Sequence, residues 1–245
     1  MEAMLIMMSI LSEETGAVKQ YTKPSKLYFF VSQPKWFTFE GDLTDDKDLD
    51  KYAGELAQML LGAKKFIHGV AGEFCSRVWN HDRIINALQT LKAEDISFIC
   101  GPKLDIKNLE FIKLVKNKKI RLLLTTERQE EHFRVTDKGV IIEGHHGEFQ
   151  PERRAIICKD SAITNDVYDN KFKFLGEKLK AEGKLELVEA NEILTKFKPC
   201  VYDKDENKNY RKPKKEEIEP VFKIVNGRKP TEEEIEEIFK NCNYN

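Results

Sequence analysis

The sequence of 245 residues lacks any uninterrupted apolar run close to the ~20 residues that cross a bilayer. An apolar stretch near the start, residues 4–11, is broken by Ser9, and Glu2 stands where a signal peptide carries positive charge. No cleavage site of small residues follows. The sequence therefore predicts neither a membrane span nor a secretion signal, and it favours an N-terminal strand or helix that packs on the core.

The chain also has few cysteines and almost no net charge. Five cysteines form no Cys-x-x-Cys pair, and they are Cys75, Cys100, Cys158, Cys200 and Cys242. Their odd number and wide spacing indicate reduced thiols in a cytoplasmic protein. With 41 basic and 42 acidic residues the net charge is -1, so the overall balance does not attract nucleic acid or anionic lipid. Local basic clusters are interpreted as solvated surface, and nucleic-acid contact is not favoured.

Phosphate-binding glycine loops are absent as well. Neither a Walker sequence nor Gly-x-Gly-x-x-Gly occurs, so nucleotide cofactors are not expected and we predict no cofactor. His145 and His146 adjoin each other near Glu143 and Glu148, which could suggest a metal site. Neighbouring residues of a strand point to opposite sides, however, so a solvated loop is favoured and no metal ligand is assigned.

Helical and strand patterns alternate from Thr44 to Glu182. Apolar residues recur at helical spacing from Leu49 to Leu60, and short apolar runs suited to buried strands follow at residues 65–72, 96–100 and 119–124. Alternation of this kind predicts βαβ crossovers. The fold class expected is α/β, with a mixed, mostly parallel sheet flanked by helices.

The chain divides into three predicted parts. Residues 1–43 form an N-terminal lead that packs on the core, and residues 44–182 form the main domain. Residues 183–245 combine a charged linker with a C-terminal helix. The stretch from 204 to 219 is highly charged and is interpreted as exposed, whereas Thr231 and Glu234 form a capping box that opens a helix.

A β-hairpin with a histidine on its first arm is the stretch best suited to chemistry. On that arm His132, Arg134 and Thr136 share one face, while Phe133 and Val135 share the other. A turn at residues 137–139 leads to the second arm, which ends at Glu143.

This order of elements resembles half of the phospholipase D superfamily fold over residues 44–182. Residues 63–70 look like its first core strand, residues 96–102 like its second, and residues 132–143 like its motif hairpin. The resemblance implies a His-x-Lys-x-x-x-x-Asp motif, in which the histidine attacks phosphorus and the lysine holds a phosphate oxygen. Two such motifs must face each other, so a chain with one half would act only as a dimer.

The motif is degenerate, and two registers are open. With His132 as the nucleophile, Arg134 replaces the lysine and Gly139 the aspartate. With Asp137 as the aspartate, Glu130 takes the nucleophile position and His132 that of the lysine. In both, Glu143 begins the segment that stands in place of the family's Gly-Ser pair, and its carboxylate would repel a phosphate.

These features predict a non-catalytic binding or interaction module, with a phosphate or anion contact through His132 and Arg134. The alternative is a homodimeric phosphodiesterase or nuclease that forms a phosphohistidine on His132 and clamps phosphate with Arg134. The partner is an unknown protein or a second copy of the chain. Two copies of His132 at one phosphorus atom would favour the enzyme, whereas His132 facing its own Glu130 would oppose it.

Overall fold

The computed structural model describes residues 36–74, 76–127, 129, 131–143, 152–203 and 210–242. Eleven strands occur within these residues: β1 Trp36–Asp42, β2 Phe66–Val70, β3 Asp95–Cys100, β4 Lys103–Asp105, β5 Arg121–Thr125, β6 His132–Thr136, β7 Gly139–Glu143, β8 Glu152–Cys158, β9 Leu185–Val188, β10 Lys198–Tyr202 and β11 Tyr210–Arg211. The α-helices are α1 Asp46–Gly62, α2 Asp82–Gln89, α3 Leu109–Lys116, α4 Ser161–Val167, α5 Phe174–Ala181, α6 Ile193–Lys196, α7 Lys215–Asn226 and α8 Glu232–Asn241. A π-helix, Tyr168–Lys173, joins α4 to α5, and a 3₁₀ turn, Ala190–Glu192, precedes α6.

Eight strands form one mixed sheet in the order β1-β8-β7-β6-β2-β3-β5-β9. A smaller sheet of three strands has the order β11-β10-β4. An α/β fold with a mixed sheet between helices is thus confirmed. The sequence predicts mostly parallel pairing, but in the large sheet only β2 with β3 and β3 with β5 are parallel. Helices α2 and α3 lie in the connections between these three parallel strands, while β6, β7 and β8 follow one another antiparallel.

Apolar side chains bury both faces of the large sheet. On one face lie α1, α2, α3 and α7, around buried aromatic rings that include Tyr52 and Trp79. On the other lie α4, the π-helix and α5, against Phe133 and Val135 of β6. Alternation along β6 therefore directs Arg134 toward the α1 and α2 side. The hairpin is buried on both faces.

The sheet extends past both boundaries predicted for the main domain. β1 pairs with β8 at one edge, and β9 pairs with β5 at the other. The division of the chain into parts at residues 43 and 182 stays a prediction. Among the described residues, no helix combines the length and apolar character needed to cross a membrane.

Two local predictions were wrong. The helical spacing of Leu109, Ile112 and Val115 predicts a helix over about residues 105–116. That helix, α3, begins only at Leu109, because residues 103–105 form β4 beside β10 and Asn108 caps α3 through a hydrogen bond from the backbone N–H of Phe111. An exposed linker is predicted up to residue 219, yet α7 starts at Lys215 and Ile218 is fully buried. The apolar positions of α7 continue beyond the charged stretch, so the high charge of residues 204–219 concealed their helical spacing. Residues 204–209 lie outside the described residues.

Candidate functional site at the open end of the hairpin

The predicted hairpin is present, and its turn is held from two sides. Thr136 accepts hydrogen bonds through Oγ1 from the backbone N–H groups of Lys138 and Gly139, at 3.0 and 3.1 Å. Asp137 accepts two more, from the backbone N–H groups of Lys64 and Lys65 at 2.9 and 3.1 Å. Burial opposes ionisation of Asp137, but these hydrogen bonds outweigh it and lower its pKa. Asp137 thus ties the turn to the segment before β2.

The chemistry lies at the other end of the hairpin, around the carboxylate of Glu143. His132 and Glu143 are direct cross-strand neighbours, and Arg134 lies two residues further along β6 on the same face. Arg134 donates to Oε1 of Glu143, as does the hydroxyl of Tyr52 from α1. Nδ1 of His132 lies 3.7 Å from Oε2. Three polar groups therefore converge on one carboxylate.

Burial sets the electrostatics of this cluster. The side chains of Arg134 and Glu143 are only 4% and 5% exposed. Burial by itself would raise the pKa of Glu143, but the charge of Arg134, the contact with His132 and the Tyr52 hydroxyl hold that pKa well below its usual range. Desolvation likewise opposes the charge of Arg134, yet Glu143 outweighs it and the pKa of Arg134 is raised. Both groups are charged at neutral pH.

His132 lies at the carboxyl end of β2, where Gly72 passes closely. Gly72 has φ +59, and a Cβ atom at this residue would lie 2.5 Å from Nε2 of His132. Only glycine allows this backbone conformation and this close approach without strain. The His132 side chain is 19% exposed, which makes it the most accessible member of the cluster. Nδ1 thus faces Glu143, and Nε2 faces the backbone of Gly72.

The structure brings both predicted site residues to one carboxylate. Their assignment as phosphate ligands stays a prediction, and His132 and Arg134 would have to release Glu143 to fulfil it. Glu130, His145 and His146 lie outside the described residues. Sequence reasoning missed Tyr52, whose helical spacing marks it only as a core residue, and Trp79, whose ring centroid lies 5.7 Å from the Arg134 guanidinium. No sequence signal indicates either contact.

Two other histidines have structural roles. His68 is buried, and its Nδ1 lies 2.7 Å from Oγ of Ser97 while its Nε2 lies 3.2 Å from Asp95. Burial lowers its pKa, which keeps the ring neutral. His81 is the N-cap of α2 and accepts a hydrogen bond from the backbone N–H of Arg83 at 3.3 Å. Within the described part of the chain, no group of three or more His, Cys, Asp or Glu residues is arranged to hold a metal ion.

Comparison with known proteins returns distant structural similarity only. No family model matches the chain, and no curated protein does so. Nuc from Salmonella typhimurium, a phospholipase D family member, is 10% identical over 64% of this chain and 99% of its own, with a TM-score of 0.40. Phosphatidylserine synthase from Haemophilus influenzae is 10% identical over 69% of this chain and 44% of its own, with a TM-score of 0.42.

A third similar structure is TrmBL2, an archaeal chromatin protein with a novel mode of DNA binding. It is 15% identical over 72% of this chain and 63% of its own, with a TM-score of 0.40. This chain thus spans less than two thirds of TrmBL2 and less than half of the synthase. With TM-scores of 0.40 to 0.42 and identities of 10 to 15%, these similarities carry no argument about the family or the activity of this chain.

Proposed function

We propose that this protein is a binding or interaction module without phosphodiesterase activity. One observation carries the proposal: the cation that would clamp a phosphate, Arg134, is buried and paired with the carboxylate of Glu143. A phosphate would have to displace that carboxylate or bind beside it. Displacement leaves a buried charge without its partner, which costs about 3–5 kcal/mol. Binding beside it places like charges in contact.

The depressed pKa of Glu143 strengthens this reasoning. A protonated Glu143 would be neutral and would leave the charge of Arg134 available to a ligand. Because Arg134, His132 and Tyr52 all favour the ionised form, the carboxylate keeps its charge at neutral pH. The Arg134 charge is therefore compensated from within the chain under the conditions in which a substrate would bind.

The homodimeric phosphodiesterase remains the alternative, and one observation favours it. A carboxylate beside Nδ1 of His132, at 3.7 Å, is how many enzymes orient a histidine so that Nε2 does the chemistry. In this reading Glu143 positions the His132 nucleophile and does not block the site. The reaction would need a second copy of the chain to supply the acid that protonates the leaving group.

Hydrolysis of bis(p-nitrophenyl) phosphate distinguishes the two candidates. The proposal expects no turnover above buffer for the wild-type protein, and the same result for His132→Ala. Turnover by the wild type that is lost in His132→Ala and kept in the matched variant His145→Ala would overturn it. Circular dichroism spectra of each variant establish that a missing activity does not reflect unfolding.

A further inference from the structure

The groups around Glu143 form a cradle for an anion, which we call the anion cradle: Tyr52, His132 and Arg134. Each approaches the carboxylate from a different element or position. The Tyr52 hydroxyl comes from α1, the Arg134 guanidinium from the middle of β6, and Nδ1 of His132 from the start of that strand. Converging donors with one fixed positive charge are the elements of an anion site.

Arg134 retains one donor beyond its contact with Glu143. Its Nε atom is buried and has no hydrogen-bond partner among the described residues. Buried polar groups nearly always have a partner, so Glu143 leaves one donor of Arg134 unsatisfied. The cradle thus has more donors than the Glu143 carboxylate satisfies.

We propose that Glu143 is a tethered anion that closes this cradle to free anions, inorganic phosphate included. The inference rests on the proposed function and deepens it, because it identifies the residue that determines what the site rejects. A carboxylate held in place by its own strand competes at a high effective concentration, so a free anion in millimolar amounts does not replace it. Removing the tethered group should expose a site for a carboxylate-sized anion.

The variant Glu143→Ala tests this directly, since the atoms that it removes correspond to an acetate ion. Glu143→Gln is the matched control, because it removes the same charge but keeps the space filled. For a dissociation constant of about 10 mM, 100 mM acetate should raise the melting temperature of Glu143→Ala by roughly 3–6 °C relative to chloride at equal ionic strength. The melting temperatures of Glu143→Gln and of the wild type should be the same in acetate as in chloride.

Glu143→Ala leaves a buried arginine uncompensated and could unfold at room temperature. In that case refolding from urea supplies the measurement, and acetate should raise the recovered ellipticity of Glu143→Ala but not that of Glu143→Gln. An equal response of the two variants to acetate, by either measurement, would overturn the inference. So would an absence of response in Glu143→Ala.

Titration of the wild-type protein with inorganic phosphate tests whether the anion cradle is closed to a free anion. The melting temperature should not change with inorganic phosphate beyond the effect of ionic strength. A rise that disappears in Arg134→Met would show that the wild-type cradle is open to phosphate, and the inference would then be wrong. These outcomes are independent of phosphodiester turnover, so failure of this inference and failure of the proposed function can be told apart.

Discussion

Breaking the pair between Arg134 and Glu143 should cost far more stability than breaking an exposed pair of the same type. In Arg134→Met the side chain keeps much of its apolar bulk, while Glu143 loses its cation inside the core. Since both side chains are about 95% buried, we expect a loss of about 3–5 kcal/mol in the free energy of unfolding. This is a large share of the ~5–15 kcal/mol that stabilises an ordinary domain.

Arg154→Met is the matched control. Arg154 on β8 pairs with Glu40 on β1 at 3.0 Å, again across neighbouring strands, but the two side chains are 70% and 73% exposed. Solvent screens such a pair, so its loss should cost less than about 1 kcal/mol. Urea unfolding followed by circular dichroism at pH 7 gives both values. Equal costs for Arg134→Met and Arg154→Met would refute the reasoning, because burial would then make no difference.

A double variant and a pH series complete the experiment. Arg134→Met combined with Glu143→Leu removes both charges and should cost less than Arg134→Met alone, since no unpaired charge is left in the core. The pKa of Glu143 is lowered in the folded state, so its stabilising contribution is complete above about pH 4.5 and declines as the pH falls further. The stability difference between wild type and Arg134→Met should therefore narrow below pH 4.5. A constant difference down to pH 3 would contradict this.

Three further predictions concern His68, Asp137 and Gly72. Burial lowers the pKa of His68 below 6.5, so the unfolded chain binds the proton more readily and the free energy of unfolding should fall as the pH drops from 7 to 5. Urea unfolding at several pH values should show a weaker dependence of this free energy on pH in His68→Phe than in the wild type, and equal dependence would count against the assignment. Asp137→Ala leaves two backbone N–H groups without their acceptor and should cost about 1–2 kcal/mol, more than Asp137→Asn, which keeps an acceptor oxygen. Gly72→Ala should destabilise by about 1–2 kcal/mol from its left-handed backbone alone, and the NMR signals of the His132 ring should shift because the new methyl group displaces it. Unchanged ring signals in a folded Gly72→Ala would refute that contact.

Local patterns in the sequence determined most of the secondary structure. Apolar residues at helical spacing predicted α1, and Thr231 with Glu234 predicted the start of α8, where the capping box is present. Alternation on both arms and a short turn predicted the hairpin, which spans His132–Thr136 and Gly139–Glu143. These signals are readable because each depends on residues close together in the chain.

Pairings between distant residues could not be read in this way. The strand β9 pairs with β5 although more than 50 residues separate them, and most of the sheet is antiparallel because β6, β7 and β8 follow one another as neighbours. The apolar positions of α7 were difficult to recognise in the sequence, because charged residues such as Glu216 and Glu219 stand next to the buried Ile218. Which apolar face meets which partner is a property of the packed chain.

The sequence by itself determined that His132 and Arg134 share one face of a hairpin, because a strand places every second side chain on the same side. It also placed the Glu143 carboxylate at the end of the opposite arm. Only the tertiary structure decided that this carboxylate is paired rather than exposed, since α1 brings in the Tyr52 hydroxyl from 91 residues away and buries the cluster. The charge of an ionisable group depends on that burial and on those partners, and both arise only when the chain has folded.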